Sequence, residues 1–225
     1  MRLQKSDSIF SMGVALMRPA FNLEPNYRVT MLTREKWTGG SATPLVIKGL
    51  VWFTDGSTMM GGTGAGVYGQ FLGTRLSIPL GKHATVFQAE VYAILACVYE
   101  IETQRRPQKY VCICSDSQVA LKELQAAETM SPLVQQCQKV LNDISNWHTV
   151  GLYWVPGHAG VCGNEITNEL TMGGSNQKFI EPVPSLGVSR WNINNKIKCW
   201  MDNQHLAMWH GPCNTQTGSK IDFGP

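Results

Sequence analysis

Three acidic residues of this chain lie where their neighbours are apolar and a charge has no evident structural role. Asp55 follows residues 51–54, which are apolar or favour strands, and Asp116 ends a second, largely apolar run, 110–115. Runs of this length and composition predict buried strands. Glu90 lies in a stretch whose apolar residues recur with helical spacing. Those apolar residues are Val86, Val91, Ile94, Leu95 and Val98. Two aspartates at strand ends and one glutamate on a helix can converge on a single point.

The chemical reason to gather three carboxylates is a metal ion. Taken alone, Asp55 followed by Gly56 is also consistent with a strand that ends in an Asp-Gly turn. Three carboxylates close together repel one another and lose hydration, which costs several kcal/mol unless a cation neutralises them. Oxygen ligands favour Mg²⁺ or Mn²⁺ over zinc. Two such ions about 3.5–4 Å apart are the arrangement that enzymes use to cleave phosphodiesters, so the pattern predicts a two-ion site.

Length and composition indicate an ordinary folded domain inside the cell. The chain has 225 residues, of which 43% are hydrophobic, and this is enough for a sizeable core. No apolar run approaches the roughly 18 residues of a membrane helix, and the N-terminus has no hydrophobic signal core, so secretion is not expected. The 7 cysteines, an odd number, fit a reducing compartment, either cytoplasm or nucleus.

The charge is unevenly distributed along the chain. Residues 1–50 contain 7 basic and 3 acidic side chains, whereas residues 51–170 contain 7 basic and 10 acidic ones. A nucleic-acid enzyme with an acidic centre needs bound cations, or help from its flanks, to approach a polyanion.

The elements that must position these residues follow from periodicity and from turn residues. Residues 1–49 are expected to form an irregular connecting segment, residues 50–173 a domain, and residues 174–225 a partly helical C-terminal extension. Strands are predicted at about 50–55, 64–71, 74–80, 109–115 and 150–155, and helices at about 86–103, 117–127, 132–147, 162–172 and 190–209. Three antiparallel strands followed by alternating helices and parallel strands predict an α/β fold, a mixed five-stranded sheet with helices on both faces.

Five short motifs in one order resemble type 1 ribonuclease H over about residues 50–172. They are Thr54–Ser57, the Glu90 helix, Ser115–Gln118, Trp154–Gly160 and Gly163–Glu165. More narrowly, the sequences of these motifs resemble the ribonuclease H domain at the C-terminal end of a non-LTR retrotransposon reverse transcriptase. The resemblance implies a ribonuclease H-like fold, Mg²⁺ or Mn²⁺ as cofactor, and endonucleolytic cleavage of the RNA strand of RNA–DNA hybrids. It also implies the reverse transcriptase domain of a parent polyprotein as a partner.

The resemblance further assigns roles in catalysis. Asp55 would bridge both metal ions, Glu90 would hold the ion nearer the leaving group, and Asp116 would hold the ion that activates water. His158, in a loop rich in Gly and Pro, would move protons at the scissile phosphate. An ordinary loop histidine is the alternative reading of His158.

The fourth metal-ligand position departs from the family pattern. The family reads Gly-Asn-Glu-x-Ala-Asp, whereas this chain has Asn168 in place of the aspartate and Thr167 in place of the alanine. An amide oxygen can ligate Mg²⁺ only weakly and cannot act as a base. The chain is therefore either a working but weakened enzyme or a decayed element copy that has lost catalysis; an engineered inactivating change is a third explanation.

Contacts to the hybrid are also implied by the resemblance. The residues concerned are Gly56, Ser57, Gln88, Ser117, Gln118 and Asn164. Each is small or polar enough to approach a sugar-phosphate backbone or a 2′-hydroxyl, although each alone could be a surface turn residue. The family's basic protrusion is missing, since residues 120–147 have only Lys122 and Lys139 as cations, and we expect weak substrate affinity from the isolated chain.

Three rival functions remain from the sequence. An integrase or transposase has the order Asp, Asp, Glu, whereas Glu90 here lies between the two aspartates. A non-catalytic relic would keep the fold and at most bind nucleic acid, and a structural connection domain would need neither His158 nor three convergent acids.

In the tail, Cys199, His205, His210 and Cys213 could form a zinc set, but their order and spacing match no common zinc motif, and packing explains them better.

Overall fold

The computed structural model describes residues 21–38, 47–104, 109–176 and 186–209. Two compact units divide between Leu186 and Gly187, further along the chain than the predicted boundary at residue 173. The elements in chain order are β1 (Phe21–Asn22), β2 (Arg28–Thr30), α1 (Glu35–Thr38), β3 (Leu50–Met59), β4 (Gly62–Gly69), β5 (Thr74–Gly81), α2 (Val86–Gln104), β6 (Tyr110–Ser115), α3 (Gln118–Gln125), β7 (Glu128–Thr129), α4 (Pro132–Ser145), β8 (Thr149–Trp154), α5 (Cys162–Asn176) and α6 (Arg190–Trp209).

The main sheet has the strand order β2-β8-β6-β3-β4-β5. Strands β3, β4 and β5 form an antiparallel meander, while β3, β6, β8 and β2 run parallel to one another. The predicted mixed α/β fold is therefore confirmed. The parallel part brings the carboxyl ends of β6 and β8 together beside the middle of β3, at the edge of the parallel sheet where ligand sites of such folds lie.

Alternating side chains of the sheet supply two separate cores. Along β4, Ala65 and Val67 face the larger core with residues of α2, α3 and α4. Gly64 and Gly66 face α5, because a Cβ atom on either would meet the backbone of that helix. Phe53 on β3 belongs to the smaller core on the α5 side. Helices thus pack on both faces of the sheet, as predicted.

The sequence prediction of five strands was incomplete, because the main sheet has six strands within the described part of the chain. The sixth strand, β2, comes from the segment predicted to be irregular, and it pairs in parallel with β8, so that Arg28 lies opposite Gly151 and Thr30 opposite Tyr153. A strand of 3 residues is too short to show alternation in the sequence. Its backbone hydrogen bonds come from the exposed edge of β8, which only the folded sheet provides.

Strand β3, the first of the predicted strands, also runs further than expected. A break was predicted at Gly56, but β3 continues to Met59 and pairs with β4 along its length. Gly56 serves another purpose there, since a Cβ atom at this position would clash with the backbone nitrogen of Glu90. The missing side chain therefore lets α2 begin directly against β3.

The second unit contains the predicted helix at residues 190–209, observed as α6. Cys199 and His205 lie on it, whereas His210 and Cys213 lie outside the described residues. All 6 cysteines in the described ranges are free thiols. None of the described helices is long and apolar enough to cross a membrane.

Candidate metal centre

The three predicted acidic residues come together at the carboxyl edge of the sheet. Asp55, Glu90 and Asp116 each offer a carboxylate oxygen, and these atoms all lie within 4.8 Å of one another. The predicted convergence is confirmed. Parallel pairing of β3 with β6 puts Thr54 opposite Ser115, and an aspartate directly follows each of these two residues.

Hydrogen bonds fix two of the carboxylates. The backbone N–H of Gly56 donates to Oδ1 of Asp55 at 2.8 Å, and the Thr171 hydroxyl donates to its Oδ2 at 3.1 Å. The amide of Asn164 donates to Oδ2 of Asp116 at 3.3 Å. The backbone of Gly56 also forms a hydrogen bond with the third carboxylate, Glu90, which lowers the pKa of this group. The Oε2 atom of Glu90, however, is buried and has no hydrogen-bond partner among the described residues. A buried acceptor without a donor is costly unless a cation or another donor reaches it.

Burial and mutual repulsion raise the pKa of each carboxyl group. Desolvation, followed by the charge of Asp116, raises the pKa of Asp55 to about 6, although Thr171, Gly56 and His158 act in the opposite direction. Desolvation and the two aspartates raise the pKa of Glu90 well above its ordinary value. Desolvation also raises the pKa of Asp116, against the lowering effects of Asn164 and His158. Three ionised carboxylates are therefore strained at neutral pH without a counter-charge.

These observations fit a bound divalent cation. The donors are all carboxylate oxygens, the set that hard cations prefer. Within the described ranges, no other group of three or more His, Cys, Asp or Glu side chains is arranged so that it could hold a metal ion. The unpartnered Oε2 of Glu90 is a ligand atom available to such an ion. The cluster can therefore bind a metal ion.

His158 lies beside this cluster, on the loop between β8 and α5. Its side chain is exposed, and its φ of 51° makes it the one non-glycine residue in the described ranges with a positive φ. Its electrostatic interaction with the two aspartates lowers the pKa of both Asp55 and Asp116. The neighbouring Gly157 packs against Asp116, since a Cβ atom there would lie 2.9 Å from Oδ2. The loop therefore carries the imidazole close to the carboxylates without making it part of the ligand group.

Asn168 lies on α5 between two residues that contact the carboxylates. Asn164, four residues earlier, bonds to Asp116, and Thr171, three residues later, bonds to Asp55. Residues three and four apart share one face of a helix. The half-buried Asn168 therefore lies on the face of α5 that is turned toward the centre.

The residues expected to contact a substrate have mixed surroundings. Gln118 is exposed and Ser57 half-buried, whereas Gly56 is buried under α2. Two others have structural hydrogen bonds: Ser117 caps α3 by accepting from the Ala120 N–H, and Gln88 accepts from the Thr85 N–H before α2. Asn164 is 3% exposed and turned toward Asp116. Contact with a substrate stays a prediction for all six.

Two residues near the centre were missed by sequence reasoning. Thr171 belongs to none of the motifs, and only the packing of α5 on β3 shows its bond to Asp55. Arg34 lies in the segment predicted to be irregular, and its Nη2 donates to the carbonyl oxygen of Gly157 at 3.4 Å. The excess of basic residues in the first 50 was the one signal that this flank supplies cations.

Comparison with protein-family models identifies a family for more than half of the chain. The family model described as RNase H matches residues 48–176, a range that includes the three carboxylates, His158 and Asn168. A search of curated proteins finds no match.

Proposed function

The chain belongs to the RNase H family, and we propose that it is a metal-dependent endonuclease that hydrolyses the RNA strand of RNA–DNA hybrids. The observation that carries this proposal is the convergence of Asp55, Glu90 and Asp116 within 4.8 Å at the carboxyl edge of the sheet. A family with this fold and a cluster of oxygen ligands together support nuclease activity.

The three carboxylates would hold the cofactor, two Mg²⁺ or Mn²⁺ ions. Such ions supply Lewis acidity and lower the pKa of bound water. The protein itself keeps the ligands in place: Gly56 and Thr171 orient Asp55, and Asn164 orients Asp116. Asn168 adds an amide oxygen as a fourth, neutral ligand, so metal binding is weaker than with four carboxylates.

His158 is the proposed proton carrier. Its exposed imidazole can exchange a proton with the oxygens of a phosphate bound at the carboxylates. The left-handed backbone at His158 supports a functional role, because a non-glycine residue in this conformation is held there by its surroundings.

The origin of the domain is a separate proposal. Three segments resemble the corresponding sequences of non-LTR retrotransposon polyproteins, namely Gly64–Gly69, Phe87–Glu90 and Trp154–His158. On this basis the domain works beside a reverse transcriptase domain of the same polyprotein. The 6 free thiols of the described residues support a reducing compartment inside the cell.

The test is cleavage of a hybrid whose RNA strand is labelled, with Mg²⁺ and with Mn²⁺. We expect internal cuts in the RNA strand and none in double-stranded DNA of the same sequence. Equal cleavage of both duplexes would falsify the substrate assignment.

A second candidate function is a relic that binds the hybrid without cutting it. The neutral Asn168 favours this candidate, because it removes one charge from the ligand set. Binding without cleavage up to high Mn²⁺ would support the relic and contradict the enzyme.

A further inference from the structure

The candidate centre lies in an acidic part of the chain. Residues 51–170 have more acidic than basic side chains, and three of the acids gather at the site itself. A nucleic-acid strand carries one negative charge per phosphate, so its approach requires cations close to the centre. The residues matched by the family model begin at 48, and the structure places a cation from before that point beside the site.

The segment after β2 is directed to this site by the sheet. Because β2 runs parallel to β8, with Thr30 opposite Tyr153, the chain leaves β2 at the edge of the sheet that carries the carboxylates. The buried side chains of Leu32 and Trp37 then join the smaller core together with Phe53 and other residues. Arg34 lies between these two anchors, so the backbone at this position is fixed on both sides.

The side chain of Arg34 reaches the loop that contains His158. Its Nη2 donates to the Gly157 carbonyl at 3.4 Å, while the Cα of Gly157 packs against Asp116. Arg34 is also exposed to solvent. A permanent positive charge is therefore held against this loop at Gly157. Gly157 directly precedes His158 in the sequence and packs against the Asp116 carboxylate.

From this geometry we propose that Arg34 binds a phosphate of the substrate backbone next to the candidate centre. The inference rests on the proposed function, because it requires a polynucleotide at the carboxylates. A guanidinium stays charged at all physiological pH values and has five N–H groups. The bond to Gly157 uses one of them, and two others can bind a phosphate in a bidentate manner. The bond also holds the guanidinium against the loop, which reduces the entropy lost when the phosphate binds.

Lys36 provides a matched control. It lies two residues from Arg34, is exposed, and carries the same charge, but its structure-defined hydrogen bond is a backbone bond to Thr33 within the same turn. If Arg34 acts only by raising the general positive potential, Arg34→Ala and Lys36→Ala will have the same effect. If Arg34 makes a defined phosphate contact, the two variants will differ.

The test measures the affinity for a fluorescent RNA–DNA hybrid by anisotropy, at several salt concentrations between about 50 and 200 mM. Ca²⁺ replaces Mg²⁺ in the binding assay so that the hybrid stays uncut. Its larger and more flexible coordination does not reproduce the strict geometry of a Mg²⁺ site. One lost phosphate contact lowers the slope of log K against log salt by about 0.7–0.9. We expect this change for Arg34→Ala, with affinity about three- to tenfold lower at the low-salt end. Lys36→Ala should keep the slope, and Arg34→Lys should restore most of it.

Several outcomes separate this inference from the proposed function. Equal slopes for the unchanged protein and Arg34→Ala, or equal losses in Arg34→Ala and Lys36→Ala, overturn the phosphate contact. If Arg34→Ala melts at a lower temperature, the comparison moves to Arg34→Gln, which keeps the length of the side chain. Binding without cleavage in Mg²⁺ and Mn²⁺ contradicts the nuclease proposal, while the slopes still decide the role of Arg34. If the unchanged protein does not bind the hybrid even at low salt, both proposals fall.

Discussion

The two walls of the candidate centre differ in charge. The wall built by β3, β6 and α2 supplies the carboxylates Asp55, Glu90 and Asp116. The opposite wall is the face of α5, where the neutral groups are the amides of Asn164 and Asn168 and the hydroxyl of Thr171. One acid of this helix, Glu165, acts on the centre through its charge, which raises the pKa of Asp116. The charged wall offers carboxylate oxygens that can bind a metal ion, and hydrogen bonds from the neutral wall reach two of these carboxylates. Changes on the two walls should therefore differ in size and in kind.

The largest effect is expected on the charged wall. Asp55→Asn removes the charge of the proposed bridging ligand and leaves an amide in its place, so turnover should fall by about 10³-fold or more, equivalent to about 4 kcal/mol of transition-state stabilisation. Cleavage of the labelled hybrid at saturating Mn²⁺ measures this. Asp143→Asn is the matched control, because Asp143 is an exposed aspartate on α4. Unchanged turnover in Asp55→Asn would show that the cluster is not the catalytic centre.

His158, on the loop before α5, should matter less for turnover than a metal ligand does. His158→Ala removes the proposed proton carrier but leaves the carboxylates intact, so we expect turnover to fall by about 10²-fold while the metal requirement stays the same. The comparison is made with His148→Ala, since His148 precedes β8 and His158 follows it. A shift in metal requirement with normal maximal turnover would instead make His158 part of the metal site.

Metal binding should also raise the free energy of unfolding, and the size of this increase should depend on pH. The pKa of Asp55 is about 6 in the folded chain and 3.8 ordinarily. Between these values the folded chain binds more protons than the unfolded chain, so stability without metal falls as the pH rises through this window. A divalent cation binds the ionised carboxylates, and at 100 times its Kd it adds about 2.7 kcal/mol.

Thermal unfolding with and without millimolar Mg²⁺ or Mn²⁺ is the measurement. The increase in Tm should be larger at pH 7.5 than at pH 5, where protons compete with the metal ion. Asp55→Asn should reduce the increase. An equal increase in Tm at both pH values would indicate that the ion binds elsewhere.

On the neutral wall, a restored charge should strengthen the site. Asn168→Asp returns the carboxylate that the family pattern has at this position, and we expect about tenfold higher activity at low metal, or about 1.4 kcal/mol. Paired metal titrations of hybrid cleavage compare the two chains. Asn176→Asp adds the same charge at the exposed end of α5 and serves as the control. If the unchanged protein and Asn168→Asp cleave equally at low metal, the fourth carboxylate is unimportant here. If both stay inactive at high Mn²⁺, the relic is favoured.

The sequence predicted the charged wall better than the neutral one, for a physical reason. Asp55 and Asp116 end apolar runs, and Glu90 lies on an apolar helix, so each stands out within its own local pattern. The mixed fold followed from the same periodicities. The continuation of β3 beyond Gly56 and the pairing of β2 depend instead on elements distant in sequence, α2 and β8. The bond between Thr171 and Asp55 is of the same kind, because it exists only once α5 packs on β3.

The smallest effect should come from Thr171, and it tests whether the neutral wall positions the charged one. Thr167 and Thr171 are both fully buried on α5, and the hydroxyl of each has a carbonyl acceptor one turn earlier on the helix. Only Thr171 also donates to Asp55. Thr171→Val should therefore weaken Mn²⁺ binding, measured by calorimetry, by about fivefold, or about 1 kcal/mol. This is below the usual 1.5–3 kcal/mol for a hydrogen bond to a charged group, because the same proton can go to the Thr167 carbonyl instead. Thr167→Val should leave the affinity unchanged, and Thr171→Ser should restore it. Equal weakening by the two valine variants would mean that α5 affects the centre through packing alone, and Thr171 would then have no positioning role.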